Sequence, residues 1–363
     1  MIDSSSSALR PRATAAPTAR PAARPAWRVL HALLWLVAAL TVVVLALRWV
    51  DTDQPFLVAA QAMVPTVGFV AAAALAVALV AALVPALSRA GRRGARGGPH
   101  GGSRGAGRGT RLVAVVLAAC CTVYAILAVP TLTRSTVAPE PGDVRVLTAN
   151  LYKGHADAAA LMAQVREREI NVLVLVEVTP EMEQRLEAAG LRDVLPYEAG
   201  MTAPSAAGIR VWTGFARSIV DNGWGTAASQ PTIRIGTDHG EVLLRAVHPE
   251  GPTLQDATTW RQEQRLLQRW VREQSGTGPL VVAGDFNASA SHPAFRATTE
   301  GLQDAARVAG RGFMPTWPTG RTLLRPFTQI DHVMVRGMAV VDAGSVTIPG
   351  SDHAAVWARL RIG

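Results

Sequence analysis

Cysteine is nearly missing from this 363-residue chain: Cys120 and Cys121 are the only two, and both sit inside an apolar run. Residues 140–363 have none, which excludes a disulfide or a cysteine-ligated zinc centre there. Lysine occurs once, as Lys153, among 36 basic residues. Such uniform arginine use, beside heavy alanine and glycine, reads as compositional bias, so single arginines are not taken as functional choices. Positive charge is also scarce where a nucleic-acid binder needs it. Residues 1–139 hold 14 Lys+Arg against 3 Asp+Glu, and residues 140–363 hold 22 against 24. The net charge of +9 therefore flanks the apolar segments, and the remainder has no overall positive field to draw a polyanion.

What the chain does have is long apolar runs. Residues 1–28, rich in Ser, Ala, Pro and Arg without apolar periodicity, read as a disordered tail. Val29 to Val50 follows, about 33 Å long as a helix and enough for a hydrocarbon core of about 30 Å. Phe56 to Leu87 is a second run, in which Pro65 marks a kink or an outer end, and Leu112 to Leu132 is a third. Three transmembrane helices are expected, at about 29–50, 64–87 and 112–132, with an Arg/Gly-rich loop over 88–111. The tail carries five arginines and the 88–111 loop seven, whereas Arg134 stands alone after the third run. The excess places tail and loop in the cytoplasm and, after three crossings, residues 143–363 outside it. The expected location is a cell membrane, multi-pass. The Arg/Gly loop suits a topogenic role; binding nucleic acid or anionic lipid is the other reading.

After a Pro-containing linker over 133–142, apolar strands alternate with helices. Strands are expected over 143–148, 171–178, 241–248, 280–283, 330–335, 339–348 and 354–360, and helices over 158–169, 179–190, 256–273 and 303–310. Residues 196–240 are the least legible. Polar residues concentrate at strand ends, which resembles a layered α/β sandwich with its chemistry on one rim. Glu177 closes a strand apolar on both faces and is costly there without a cation or partner. Val281-Val282-Ala283-Gly284-Asp285-Phe286-Asn287 ends a buried strand in an acid and an amide two residues apart, on one face of an extended segment. That pairing suits a phosphoester site, although Gly-Asp-x-Asn also occurs in plain turns.

Leu-Thr-Ala-Asn-Leu (147–151), Leu-Val-Glu-Val (175–178), Val-His-Pro (247–249), Gly-Asp-Phe-Asn (284–287), Ile-Asp-His (330–332) and Gly-Ser-Asp-His (350–353) occur in this order. Together they resemble the endonuclease/exonuclease/phosphatase superfamily over about 145–361. The resemblance implies a four-layer α/β sandwich of two packed sheets, and a hydrolase dependent on Mg²⁺ or Mn²⁺. It implies Glu177 as main metal ligand with Asn150 beside it, and Asp352 supporting the metal or a second one. His353 would activate the attacking water, with Asp331 orienting its ring. Asp285 would position the nucleophile or stabilise the leaving side, Asn287 would orient it, and His248 would donate to a phosphate oxygen. His332 and His292 are read as structural.

Two departures stand out. The Gly-Asn-x-x-x-x-Ser-Arg strand frequent in the family corresponds here to Ala207-Gly208-Ile209-Arg210-Val211-Trp212, without the Asn or the Ser-Arg. Neither Tyr152 nor Tyr197 matches the tyrosine several nucleases use. A DNA-repair reading is weakened; phosphoester hydrolysis stands. Expected partners are the bilayer and a phosphoester, which is nucleic acid, a phospholipid head group or a small molecule; no protein partner is expected. The competing reading is a membrane-tethered scaffold that kept the fold and lost turnover.

Overall fold

The computed structural model describes residues 23–90, 104–134, 136–223, 226, 228–276 and 278–363. The expected tail over 1–22 and the middle of the Arg/Gly loop, 91–103, lie outside these.

Four helices come first: α1 (Ala23–Leu47), α2 (Pro55–Ala62), α3 (Val64–Ala90) and α4 (Arg104–Ala128). Three of them contain segments long and apolar enough to cross a membrane, Trp27–Leu47, Val64–Leu83 and Arg108–Thr131. They pack through small residues. Ala38, Ala71, Ala78 and Ala114 are buried between them, and a methyl group on Gly68 would stand 2.8 Å from the Tyr124 ring. The run from Phe56 is not one helix. It breaks at Met63, and Pro65 falls in the first turn of α3, where its missing N–H costs nothing. Both ends of the expected 88–111 loop are helical, because α3 continues to Ala90 and α4 starts at Arg104.

The remainder runs β1 (Val144–Asn150), α5 (Ala158–Glu167), β2 (Val172–Val176), α6 (Pro180–Ala188), α7 (Leu191–Val194), β3 (Tyr197–Met201), β4 (Ile209–Thr213), β5 (Arg217–Asp221) and β6 (Thr232–Thr237). It continues with β7 (Gly240–Val247), α8 (Thr258–Glu273), β8 (Leu280–Asp285), α9 (Pro293–Thr298), β9 (Gln303–Asp304), α10 (Ala305–Val308), β10 (Asp331–Arg336), β11 (Met338–Thr347) and β12 (Ala354–Ile362). Two six-stranded sheets result, in the orders β11-β12-β1-β2-β4-β3 and β5-β6-β7-β8-β10-β9. The illegible stretch 196–240 thus supplies β3 to β6. The helix expected over 303–310 shrinks to α10. Gln303 and Asp304 pair with β10 instead, and the Asp304 side chain caps Ala306.

Side-chain alternation explains the layering. Val144, Val146, Val172, Val174 and Val176 face the second sheet and meet Leu244, Val281 and Val333 from it. The alternate residues, Leu147, Leu173 and Leu175, face α5 and α6, while Val282 and Leu280 face α8 and α9. Strands apolar on both faces are what two central sheets under helical cover require. α2 and the connection before it are seated on the second sheet's outer side. Val58 of α2 joins the apolar cluster around Trp260 and Phe295, and the Arg261 guanidinium pairs with Asp51.

Candidate active site

Sheet register brings the acids together. β8 and β10 are antiparallel with Asp285 opposite Asp331, and β1 and β2 are parallel with Asn150 opposite Val176, one residue short of Glu177. Gly284 makes the corner possible. Its φ is +150°, and a Cβ there would stand 1.9 Å from the Val247 carbonyl oxygen, so only glycine lets β7 and β8 close up beside His248. Four non-glycine residues at this rim hold left-handed backbone: Tyr152 (φ 48°), Lys153 (50°), Glu177 (57°) and Asn287 (47°). Such strain persists only where the surroundings over-determine it, and functional sites are where it collects.

All eight residues named from the sequence lie in this one corner. Asn150 donates from Nδ2 to Glu177 Oε1 (3.0 Å) and to Asp285 Oδ2 (3.1 Å), while its own oxygen accepts from the Tyr152 N–H (2.9 Å). Its amide nitrogen, which cannot ligate a cation, faces the acids, so Asn150 here ties two carboxylates together. Glu177 accepts a second bond from the Lys153 N–H at 2.8 Å. His248 Nε2 lies 3.8 Å from Asp285 Oδ2 and 4.0 Å from Glu177 Oε1, and its Nδ1 donates to the Ala206 carbonyl at 3.2 Å. That bond fixes the ring with Nε2 toward the acids.

His353 Nδ1 is 2.9 Å from Asp331 Oδ2 and 3.7 Å from Asp285 Oδ2; its Nε2 is 3.9 Å from Asp352 Oδ1. Burial opposes charge on this ring, but the carboxylates of Asp331 and Asp285 outweigh it and push its pKa up to about 10. Burial first, and the Asp331 charge second, raise the Asp285 carboxyl. The other Asp331 oxygen, Oδ1, is buried without a partner. A partnerless carboxylate oxygen beside a second acid is a place for positive charge. Asp285, Asp331 and His353 each offer a ligand atom within 4.8 Å of one another, a possible metal site, and Glu177 and Asp352 add oxygens at its edge. A donor set this rich in oxygen suits a hard divalent cation.

Asn287 is placed differently from an amide free to orient a substrate. Its Nδ2 donates to the Pro249 carbonyl (2.9 Å) and its N–H to Asp285 Oδ1 (2.7 Å), so it locks the β8 turn to the His248-Pro249 turn. His332 and His292 are structural: His332 joins Asp304 and the Ala288 carbonyl, and His292 joins Ser289 and the Val58 carbonyl.

Several supports were not foreseen. Ser351 donates to the Asn150 carbonyl (2.7 Å) and accepts from the His353 N–H (3.0 Å), linking two site strands. Thr316 accepts from the Asp331 N–H. Trp260 Nε1 and Gln264 Nε2 of α8 donate to the Asn287 and Phe286 carbonyls. Gln264 left a readable signal, a polar residue four positions after Trp260 on the helix's apolar side. Thr316 left none.

The endonuclease/exonuclease/phosphatase family model matches residues 147–353, more than half of the chain and the whole of this corner. The chain belongs to the endonuclease/exonuclease/phosphatase family. It is a hydrolase of phosphoester bonds. Solved structures similar to it include a humanized D. rerio TDP2 (14% identity, TM-score 0.48, 61% of this chain and 99% of that one). D. rerio TDP2 complexed with a single strand DNA product is also similar (15%, 0.49, 60% and 99%). So is a Bacteroides thetaiotaomicron mannosyl-6-phosphatase (17%, 0.45, 60% and 99%). No curated protein matches the chain.

Proposed function

We propose that this family member is a membrane-anchored phosphoesterase dependent on Mg²⁺ or Mn²⁺, with His353 as general base. The observation that carries the reading is the buried Asp331–His353 pair set against Asp285 at 3.7 Å. Glu177, Asp285 and Asp331 would hold the cation, with Asp352 at the edge. When bound, it would supply charge opposite a phosphate oxygen and lower the barrier to attack by water. It would also cancel part of the carboxylates' pull on His353, returning the ring toward the neutral form a base needs.

The residues then divide the work. Asp331 fixes the His353 ring by its Nδ1 bond, leaving Nε2 to take a proton from water. Asp285 sits between His353 and His248, where it can orient that water. With Nδ1–H held on the Ala206 carbonyl, His248 would offer an Nε2–H to a phosphate oxygen as the imidazolium, where negative charge builds. Asn150 and Asn287 keep the acids and turns in place.

Substrates presented at a bilayer are favoured by one loop. Thr319 bonds to the carbonyls of Ser351 and Asp352, and the same loop reaches Thr66 at the start of α3 through the Phe327 carbonyl. Between them Leu323 is 98% exposed and Leu324 is exposed too, flanked by Arg321 and Arg325. Apolar tips between arginines suit an anionic lipid surface. The test is the purified full chain with Mn²⁺ against bis-p-nitrophenyl phosphate, plasmid DNA and sphingomyelin vesicles. Turnover abolished by EDTA on at least one is expected, with vesicles preferred. Folded protein inert on all three would favour the scaffold reading instead.

A further inference from the structure

A cavity lies between the N-terminal helices and the sandwich, apart from the catalytic corner. Its volume is about 400 Å³, and it separates the first turns of α3 and the end of α4 from the sandwich segments around residues 289–291, 312–314 and 328–332. Its two sides differ in chemistry. The helix side presents Val64, Phe69, Ala72, Tyr124 and Ala128; the sandwich side presents Arg307 together with Arg48, which follows the first span.

Three arginines gather here against one acid, Asp304. Arg48 is within electrostatic reach of both Arg296 and Arg307. Arg48 donates to the Ala290 carbonyl, and Arg296 donates to the Ala290, Ser291 and Arg48 carbonyls. None of the three forms an ion pair among the described residues. Asp304 also lines the cavity, but its Oδ2 is already engaged by His332 (2.7 Å) and Gln329 (3.3 Å). Three guanidiniums held together at the end of a membrane span repel one another, and an anion with an apolar body relieves that cost. Phe69, at the cavity wall beside the Phe313 ring, is also 60% exposed, which gives an acyl chain a way from the cavity to the bilayer.

We propose that this cavity is a binding site for one anionic phospholipid, its phosphate between Arg48 and Arg307 and an acyl chain along Phe69, Ala72 and Tyr124. The site is separate from the catalytic one and does not depend on turnover. Its lining includes Ser289–Ser291, on the segment that leads from the Asp285–Asn287 turn to α9 and meets α2 where His292 donates to the Val58 carbonyl, so a lipid here braces the sandwich on its membrane helices.

The test is native mass spectrometry of the full chain released from nanodiscs of equal phosphatidylglycerol and phosphatidylcholine. One retained phosphatidylglycerol per chain is expected. Arg307→Gln and, separately, Arg48→Gln should each lower that retention about fivefold. Asp285→Asn should leave it unchanged, since the catalytic corner is elsewhere. Equal retention of the two lipids, or wild-type retention in both arginine variants, overturns the proposal. So does displacement by millimolar glycerol 3-phosphate, which would make this a site for free anions. Arg307 has no hydrogen bond among the described residues that its loss would break, so Arg307→Gln keeps the test open if Arg48→Gln fails to fold.

Discussion

Asp331 and His353 share a short bond, Oδ2 to Nδ1 at 2.9 Å, while the carboxylate's other oxygen is buried with nothing to accept from. One acid thus faces two ways, toward the ring it orients and toward the place a cation would take. Asp331→Asn keeps the volume and removes both functions. We expect kcat to fall by about 10²–10⁴-fold with the circular dichroism spectrum unchanged. A variant within a few-fold of wild type would show that this pair takes no part in turnover.

His292 sets a pH limit on the seating of the sandwich on α2. Burial lowers its pKa to about 4; the ring accepts from the Ser289 N–H and donates to the Val58 carbonyl, so it is neutral when folded. Its folded value lies below the unfolded one of about 6.5. Between the two, the unfolded chain holds a proton that the folded chain does not, so stability falls as pH falls from about 6.5 to about 4. The full loss is on the order of 3 kcal/mol. Melting of the full chain in detergent should shift downward between pH 7 and pH 5, and His292→Gln should shrink that shift. An identical pH dependence in the variant would count against His292 as its source.

Gly284 carries the closest backbone approach at the site. Gly284→Ala should destabilise the sandwich by on the order of 3 kcal/mol, because the methyl group meets the Val247 carbonyl at 1.9 Å. Urea unfolding reads this directly. An unchanged midpoint would mean that β7 and β8 can separate without penalty.

The layers and the rim were legible because both follow from local pattern. Continuous valine and leucine runs announce buried strands, and an acid or imidazole closing such a run is hard to place anywhere but a site. Glu177, His248 and Asp285 were visible for that reason. What hid were partners distant in the chain. Arg210, in the strand that departs from the family motif, pairs with Glu183 and Glu198 under the first sheet, a relation no spacing reveals. The motifs imply Asn150 beside the metal and Asn287 orienting the nucleophile, yet their hydrogen bonds turn them toward the protein's own acids and turns. The break at Met63 lies where Pro65 announces it, whereas the loss of helix at 303–304 depends on pairing with β10 that overrides local preference.

We propose that the arginines set the topology. If the tail and the 88–111 loop are cytoplasmic, the sandwich lies outside, and protease added to intact cells should remove it. Complete protection, with cleavage only after permeabilisation, would invert the orientation.

We propose metal-assisted hydrolysis at the corner of Glu177, Asp285, Asp331 and His353. It is tested most directly by single-turnover rates on bis-p-nitrophenyl phosphate, measured across a Mn²⁺ titration for wild type, His353→Ala and Glu177→Gln. We expect wild-type rates to rise from zero to a plateau. Glu177→Gln should need at least about tenfold more Mn²⁺ to reach its plateau, and His353→Ala should bind Mn²⁺ yet turn over about 10²–10⁴-fold more slowly. Metal-independent hydrolysis, or equal titration curves for all three proteins, would contradict it.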